Sequence, residues 1–547
     1  MNKKVLLFLC IMVFAISCSD ETTHISDPKS QVELEDDQQV LEEGILYDKA
    51  GVLGILEQDK STGKFTRKAP EDEMAGDHPL TLVAQVDPPS FKGGSNLTAS
   101  HVHVDGDFAY VAYNTVSSAY VGAIDVIDVS NPNKPKITSR LYYLNADVNS
   151  VKYENGYVYA VGGVDAELSV RATTNSFVVK IPCSNGVLET SAEFLYGFQE
   201  GYVSTDVETM DNKIIVTSGK QGSLGVYDRN NVTLEKEISF TDLRSVTVSD
   251  SNIAVLDGSK GVSLYDQNFQ MVRDIMIDTD FGESSKKTLE FFGDKLLVSE
   301  GAKGAGVYNY SSGSLLDYIP IPINPEGVEE LDIVTNAVAA NEDIVLMANG
   351  GAGLSLSEEK NNEIDVFGII DLDGSINYVE SKGDYVFAAS GKEGLQIIKL
   401  NRPSTSVEIN CANLPAYSGS ANLNVNSNDV LAYRGSKRFN NINVNGSLTL
   451  CGSWTVKTSA NVNSDALFEM NGSFVFGTNN KRKNLTVNNG ATFRVEGSII
   501  IYGDLILNDG ASMEFVGSNS SIEVFGEVKK AETATVSGNF NDVRGKF

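Results

Sequence analysis

The chain has 547 residues, 41% of them hydrophobic and 21% charged, which is typical of a globular protein too long for one ordinary domain. Its 49 glycines and 13 prolines suit many tight turns and exclude a collagenous or largely disordered chain. The formal net charge of −30 excludes nucleic acid as a partner, because phosphate binding needs clustered Lys and Arg side chains.

The N-terminus has the pattern of an export signal. Lys3 and Lys4 precede an apolar run from Val5 to Ile16, which is too short for a comfortable membrane span and predicts a signal peptide over residues 1–17. The run ends in Ala15-Ile16-Ser17-Cys18, which resembles a bacterial lipobox, although Ala15 stands where Leu is usual. The resemblance implies that Cys18 is lipidated and becomes the mature N-terminus. The alternative is an ordinary cleaved signal peptide with an incidental cysteine.

Residues 18–78 are predicted to be the lipidated cysteine and an acidic tether. The stretch Ser19-Asp20-Glu21 resembles the acidic export signal of Bacteroidetes lipoproteins, which implies a surface-exposed protein anchored to the outer membrane by its lipid. Residues 19–43 are polar and rich in acids, as a solvated tether would be. Residues 44–78 are compatible with either a strand pair or a short helix. No later segment approaches 18 consecutive apolar residues, so the rest is predicted to be extracytoplasmic.

A repeated strand pattern begins near residue 98 and predicts a β-propeller. Seven segments of alternating apolar residues occupy equivalent places, and they start at Phe108, Tyr157, Lys213, Asn252, Lys295, Asp343 and Tyr385. The third residues of the first and last segments, Tyr110 and Phe387, lie 277 positions apart, and division by six intervals gives about 46 residues per repeat. That period is the length of one four-stranded propeller blade.

Two further patterns support seven blades. Glycines mark the turn into the third strand of most repeats, where a positive φ is needed. One position of the first strand is apolar in every repeat and should pack between neighbouring sheets near the axis. We call the seven residues at this position the apolar column. They are Val102, Val151, Val207, Val246, Leu289, Ala337 and Val379.

The ring must also close. Blade seven lacks a fourth strand after Leu400, and the segment 80–86 precedes blade one without an inner strand of its own. We therefore predict that segment 80–86 supplies the outer strand of blade seven and that the propeller spans residues 79–403.

The clearest repeat is Gly-Ala-Ile-Asp-Val-Ile-Asp-Val-Ser-Asn-Pro-Asn-Lys-Pro at residues 122–135. It resembles the LVIVD repeats of bacterial surface propellers, in which such a strand ends in Asp-Val-Ser-x-Pro. The resemblance covers roughly residues 80–402 and is weaker in the middle blades. It implies a propeller at the bacterial surface and no particular activity.

The tail, residues 404–547, has another rhythm. Four motifs place apolar residues around Gly446, Gly472, Gly497 and Gly526, at intervals of 26, 25 and 29 residues. Coils of this length with Asn, Gly and Ser at their corners predict a parallel β-solenoid of about five turns, with a small antiparallel sandwich as the alternative. In an oxidising compartment Cys411 and Cys451 are candidates for a disulfide bond, with two separate thiols as the alternative. Cys183 is predicted to be a buried free thiol.

The candidate binding site is the mouth of the propeller channel. Residues that flank the apolar column should face the channel, and the candidates among them are His101, His103, Lys152, Asp206, Glu208, Glu290 and Glu380. His101 and His103 share one strand face, which permits metal binding, but no spacing supplies a third ligand. We predict no metal, no cofactor and no catalytic residues, because no Gly-x-Ser-x-Gly elbow, phosphate loop or Cys-x-x-Cys motif is present.

Three functions remain. The favoured one is a surface binding, adhesion or scaffolding protein for protein or glycan ligands. The alternative is a polysaccharide-active enzyme or an accessory of a glycan-utilisation system, which an acid cluster with a base and an arginine at one mouth would favour. The third is a spacer that holds another partner away from the membrane.

Overall fold

The computed structural model of the chain describes residues 31–46, 51–52, 55–56, 80–90, 97–115, 120–282, 286–322, 328–341, 344–360, 363–370, 372–400, 411, 414–478, 481–518 and 520–547. The predicted signal peptide and Cys18 lie outside the described residues. The described chain is almost entirely β-structure, and it forms seven antiparallel sheets and one parallel solenoid, which confirms the predicted fold class.

Each of the seven sheets is one propeller blade with four main strands, which follow chain order from the axis outward except that the outer strand of blade 7 comes from the beginning of the propeller. Blade 1 comprises Thr98–Asp105, Phe108–Asn114, Gly122–Asp128 and Lys136–Tyr143. Blade 2 comprises Ala146–Glu154, Tyr157–Val164, Ser176–Ser184 and Leu195–Gln199, with the short strand Val187–Leu188 appended. Blade 3 comprises Asp206–Met210, Lys213–Thr217, Ser223–Asp228 and Thr233–Ser239. Blade 4 comprises Leu243–Val248, Asn252–Asp257, Gly261–Asp266 and Met271–Met276. Blade 5 comprises Leu289–Phe292, Lys295–Ser299, Ala305–Asn309 and Ser314–Ile319. Blade 6 comprises Ile333–Asn341, Ile344–Gly350, Leu354–Lys360 and Glu363–Ile370. Blade 7 comprises Tyr378–Lys382, Tyr385–Ala389, Leu395–Leu400 and Leu80–Val86. The helices of the described residues are Gln38–Glu42 and the single 3₁₀ turns Ala166–Leu168 and Glu330–Asp332.

The apolar column packs each blade onto the blade before it. Val151 of blade 2 contacts a cluster that includes Tyr110 and Ile124 of blade 1, and Val102 of blade 1 packs with Phe387 of blade 7. Seven such clusters, one at each junction between neighbouring blades, run around the ring. Burial of these side chains is the main stabilising contribution to a closed ring, at about 1.5–3 kcal/mol for each fully buried large apolar side chain.

The predicted member of the column in blade 6 is wrong by one residue. Val338 packs on Leu297 and Val307 of blade 5, as a column residue should, whereas Ala337 belongs to the cluster that faces blade 7. The backbone agrees, since the Val338 amide donates to Thr288 of the preceding blade at 3.2 Å. A register irregularity lies between Ile333 and Ala337, directly before Val338.

The ring closes as the sequence predicts. Leu80–Val86 pairs antiparallel with Leu395–Leu400 and forms the fourth strand of blade 7. Its residue Gln85 is fully buried and donates from Nε2 to the backbone oxygen of Glu393 at 2.9 Å. One strand from the beginning of the propeller therefore completes the last blade, which removes an open sheet edge.

The described part of the segment before the propeller forms strands: the first lies in the stretch predicted to be an acidic tether, and the others lie where the sequence allowed a strand pair or a short helix. Val32–Glu35 pairs with the outer strand of blade 1, and Ile55–Leu56 pairs with that of blade 6. Ile45–Leu46 and Gly51–Val52 both pair with the closing strand of blade 7. The described part of this segment thus adds strands to the outer edges of three blades, in part because its acidic stretch alternates with apolar residues that strands can use.

The tail is a parallel β-solenoid of about six turns, one more than predicted, and not an antiparallel sandwich. Its ladders are all parallel. The strands are Asn422–Val425, Val430–Val444, Ser447–Val462, Leu467–Phe476, Leu485–Val487, Thr492–Ile501, Leu505–Leu507, Ser512–Phe515, Ser520–Val524, Val528–Lys530, Thr535–Ser537 and Phe540–Asp542. Cys411 and Cys451 form a disulfide bond, and Cys183 is a buried free thiol.

Asparagine side chains stack at one corner of the solenoid. Asn463 donates to the Asn445 side chain at 2.9 Å, Asn488 to that of Asn463 at 3.3 Å, and Asn508 to that of Asn488 at 2.9 Å. Each amide carries both donors and an acceptor, so a stack of them satisfies its own hydrogen bonds from turn to turn. This explains the richness in asparagine that the sequence shows at the corners.

A column of glycines also runs through the solenoid, and it contains two of the four glycines that mark the repeated motifs. Gly435, Gly452, Gly472 and Gly497 occupy neighbouring positions on successive turns. The other two motif glycines, Gly446 and Gly526, lie outside this column, because the turns differ in length. Gly472 has φ +121°, and a Cβ atom there would lie 2.2 Å from the Gly452 oxygen.

We expect Gly472→Ala to destabilise the solenoid by about 3 kcal/mol or more, because it combines a steric clash with backbone strain. Calorimetry should show a lower unfolding temperature of the solenoid. Gly545→Ala is the control, since Gly545 also has a positive φ, +62°, but nothing lies within 4 Å of the added Cβ. Equal losses in the two variants would contradict the importance of the glycine column.

Candidate functional site: the mouth of the central channel

The inner strands place two layers of side chains in the channel. Because successive side chains of a strand point to opposite faces, the residues before and after each apolar-column residue face the axis. We call the residues before the column the floor layer and those after it the rim layer. The floor layer contributes His101, Asp206, Ser245, Thr288 and Tyr378 to one cavity, and the rim layer contributes His103, Lys152, Glu208, Thr247, Glu290, Ala339 and Glu380.

The structure brings all seven predicted residues together. They line a cavity of about 280 Å³ and come from blades 1, 2, 3, 5 and 7. The cavity extends past the rim layer to residues one position further along the strands, such as Phe291 and Ser381, so its mouth lies at that end. What the seven side chains do there differs from one to the next.

Lys152 and Glu208 form an ion pair across the junction of blades 2 and 3. The Lys152 Nζ atom lies 2.9 Å from Glu208 Oε2 and 3.2 Å from Oε1. Burial alone would lower the pKa of Lys152, but the Glu208 carboxylate raises it above its ordinary value. Lys152 therefore stays charged at neutral pH, and both groups keep partners on the wall of the cavity.

His103 and Glu380 are neighbours across the junction of blades 1 and 7. His103 Nδ1 lies 3.4 Å from Glu380 Oε1, and the backbone amide of Val104 donates to Glu380 Oε2 at 3.0 Å. The carboxylate thus has a fixed orientation, with one oxygen on the backbone and the other beside the imidazole.

Asp206 ties three blades together. Its carboxylate accepts from the Ser150 hydroxyl of blade 2 at 2.7 Å and from the Ser245 hydroxyl of blade 4. The backbone amides of Val207 and Val246 add contacts at 3.0 and 3.3 Å. With so many donors already around it, Asp206 serves the packing of the blades more than it serves a ligand.

Glu290 differs from the other rim acids. Burial, together with the nearby carboxylates of Glu380 and Glu208, raises the pKa of Glu290 to about 8, despite a hydrogen bond from the Ala340 backbone. At neutral pH this carboxyl group is therefore largely protonated and can both donate and accept a hydrogen bond.

We expect Glu290→Gln to stabilise the propeller at high pH and to leave it unchanged at low pH. The folded state holds the Glu290 proton more tightly than the unfolded chain, so wild-type stability falls as pH rises from about 4.5 to about 8. Glutamine cannot ionise and avoids this loss. At pH 9 we expect a gain of at least about 1 kcal/mol, or about 2 °C in the unfolding temperature, against no difference at pH 4. Lower stability of the variant at pH 9 would contradict this placement of Glu290.

Two aromatic rings close the cavity below the rim. The rings of His101 and Tyr378 lie 3.9 Å apart with an interplanar angle of 34°. Burial, with the nearby charge of Lys286, holds the pKa of His101 well below its usual range, so the imidazole is neutral. Its Nδ1 accordingly faces the Val151 amide, at 3.5 Å, as a hydrogen-bond acceptor. Tyr378 obeys the same flanking rule as the predicted residues, but it was missed because charged and imidazole side chains alone were selected.

Lys286 lies beneath these rings and crosses the channel. It precedes the inner strand of blade 5, yet its Nζ donates to the Asn149 oxygen of blade 2 at 3.0 Å. The same atom lies 5.0 Å from the centre of the Tyr378 ring, within cation–π range. Burial lowers the pKa of Lys286 to about 8, with Asp206 opposing the shift. Nothing in the sequence marks this residue, because it lies outside the repeated strand.

The channel histidines have protein partners and lie in different layers. In the described parts of the chain, no group of three or more His, Cys, Asp and Glu side chains is arranged to hold a metal ion.

The topology defines the class of protein: a closed seven-bladed β-propeller followed by a parallel β-solenoid. Within it, residues 98–141, which cover all but the last two residues of blade 1, match the LVIVD repeat. No curated protein matches the chain in sequence. Among the described residues, no helix is both long enough and apolar enough to cross a membrane.

Three solved structures are similar at low identity. The crystal structure of the RRP9 WD40 repeats is 12% identical over 56% of this chain and 96% of its own, with a TM-score of 0.44. The structure of U3-55K is 12% identical over 56% of this chain and 97% of its own, with a TM-score of 0.42. The computationally designed Ika8 protein is 11% identical over 64% of this chain and 98% of its own, with a TM-score of 0.38. Since all three TM-scores are below 0.5, the fold rests on the blade topology itself.

Proposed function

We propose that the protein is a lipid-anchored binding protein of the bacterial cell surface that takes its ligand into the channel mouth. The observation that carries the binding role is the cavity of about 280 Å³ with ionisable side chains from five blades. Burying charged groups costs free energy unless they are paired, and apolar packing already holds the blades together. A concentration of such groups in one concave site is typical of a functional site.

The proposed location rests on the N-terminal sequence. The lipobox-like Ala15-Ile16-Ser17-Cys18 and the acidic residues after it support a lipid anchor, and the LVIVD repeat of blade 1 resembles repeats of bacterial surface propellers. Metabolic labelling with a fatty-acid analogue tests the anchor: label should appear on the wild-type protein and disappear in Cys18→Ala. Label retained by Cys18→Ala would contradict it.

The binding role is tested with the chain freed of its signal peptide and lipid, residues 19–547, on a glycan array and in a pull-down from surface extracts. We expect a specific ligand whose affinity falls at least about tenfold in Glu208→Gln, since a hydrogen bond to a charged group contributes about 1.5–3 kcal/mol. The matched control is Glu167→Gln, which changes an exposed glutamate away from the channel. Equal binding by both variants would place the site elsewhere.

A polysaccharide-active enzyme is the second candidate. It is favoured by Glu290, whose raised pKa leaves a protonated carboxyl near Glu208 and Glu380, as general acid catalysis of glycoside hydrolysis requires. The described cavity wall contains no arginine, although an arginine at the same mouth is a further expected mark of such an enzyme. Release of reducing sugar from a polysaccharide by the wild-type protein, and its loss in Glu290→Gln, would favour this candidate.

A further inference from the structure

The cavity is closed at one end. The ring pair of His101 and Tyr378 lies at the floor layer, and beneath it Lys286 spans from blade 5 to blade 2. The residues that line the cavity come from the floor layer and from positions nearer the mouth. A polymer therefore cannot thread through the channel, and a ligand in the cavity must enter by an end or by a projecting side group.

The size of the cavity limits what enters. Its volume of about 280 Å³ is just below the roughly 300–1,000 Å³ of pockets that hold drug-sized ligands. One small ring fits such a space better than several linked units. The wall is also unsuited to an apolar ring, because twelve of its 21 lining residues have hydroxyl, carboxyl, amine or imidazole side chains.

The charges of the wall do not call for a cationic ligand. Glu208 is already paired with Lys152, and Glu380 has the His103 imidazole and the Val104 amide beside it. Glu290 is neutral at pH 7 because its proton is retained. An anionic ligand is disfavoured in turn, since the remaining carboxylates and the net charge of −30 repel it.

The rim carries both hydrogen-bond donors and hydrogen-bond acceptors. Lys152 donates, Glu208 and Glu380 accept, and Thr247 and neutral Glu290 do both. A hydroxyl group also donates and accepts, so a ring with several hydroxyls can satisfy both kinds of group at once. The C–H face of the same ring suits the aromatic surface of Tyr378 at the floor.

From this arrangement we infer that the cavity binds the terminal unit of a glycan, a single neutral monosaccharide ring, with its hydroxyls on the rim residues and one face on Tyr378. This inference rests on the proposed function, since it names the ligand class of the same site. It also explains how a blind channel can serve a surface protein: the chain end of a glycan enters, and the rest remains outside the mouth.

The test is a glycan array with paired oligosaccharides whose terminal units are either free or capped on their hydroxyls, followed by competition with methyl glycosides of neutral hexoses. We expect binding to one kind of free terminal unit, loss of at least about tenfold on capping, and competition by the matching methyl glycoside. A deoxy analogue that lacks a bound hydroxyl should compete at least about a hundredfold less well.

Variants of the floor sharpen the test. Tyr378→Phe should retain binding, because it keeps the aromatic face, and Tyr378→Leu should lose it at least about tenfold. Since Tyr378→Leu could disturb the packing of His101, Thr247→Val serves as a second variant that removes only a rim hydroxyl, with the same expected loss. If the Thr247→Val variant and the Tyr378→Leu variant each bound the glycan as tightly as the wild-type protein, the inference would be overturned.

The outcomes separate the two proposals. Binding to internal units, to capped ends, to amines or to a protein alone would overturn the inference and leave the binding function intact. Absence of any ligand on the array and in the pull-down would overturn both.

Discussion

Replacing Ala84 with Asp should open the propeller ring. Ala84 lies in the middle of the closing strand, is fully buried, and packs in the cluster between blades 7 and 1. An unpaired carboxylate there costs several kcal/mol, and loss of the strand would leave blade 7 with an open edge. We expect the unfolding temperature of the propeller to fall by at least about 10 °C, measured by calorimetry, with the solenoid transition unchanged.

Val272→Asp is the matched control, because it adds the same charge to the outer strand of blade 4, where Val272 is 58% exposed. This variant should unfold within about 1 °C of the wild-type protein. If Ala84→Asp unfolded at the same temperature as Val272→Asp, the closing strand would contribute nothing to the stability of the ring, and its pairing with blade 7 would not be what holds the propeller closed.

The regularity of the propeller made most of it predictable from sequence. A closed ring repeats one packing problem seven times, so the column of Val and Leu residues stands out against variable neighbours. In blade 6 the contrast disappears, since Ala337, Val338, Ala339 and Ala340 are all small and apolar. Periodicity cannot choose among such residues, and only the contacts of Val338 with blade 5 fix the register.

The candidate site was predictable for the same reason and to the same extent. The alternation of a strand places every neighbour of the column in the channel, which is why seven side chains far apart in sequence line one cavity. Lys286 follows no such rule, because its long side chain reaches across the axis from outside the repeated strand to Asn149. The sequence predicts which residues face a channel, but not which side chain closes it.

The solenoid shows where a constant interval misleads. Its turns differ in length, so the motif around Gly446 aligned with the wrong turn although the motifs around Gly472 and Gly497 aligned correctly. The backbone contact between Gly452 and Gly472 depends on the stacking of whole turns, which no single motif contains. The edge strand Val32–Glu35 was missed because acidic residues dominate its neighbourhood, and composition suggested solvent rather than an exposed sheet edge.

A buried ion pair in blade 1 should dominate the stability of that blade. Asp125, in the LVIVD-like segment, is fully buried, and Arg140 lies opposite it on the outer strand. Arg140 Nε donates to Asp125 Oδ1 at 2.6 Å and Nη2 to Oδ2 at 2.7 Å. Burial alone would lower the pKa of Arg140, but Asp125 raises it above its usual range, so the arginine stays charged.

We expect Asp125→Leu to destabilise the propeller by about 3–5 kcal/mol, because it leaves the Arg140 guanidinium buried without its partner. Arg140→Met should destabilise the propeller by a similar amount, because it leaves the Asp125 carboxylate buried without its partner. The double variant Asp125→Leu/Arg140→Met removes both charges and should be more stable than either single variant, since well-packed apolar residues often replace a buried pair at little cost. Calorimetry of the four proteins measures this coupling, and additive losses would mean that the two side chains act independently despite their bidentate geometry.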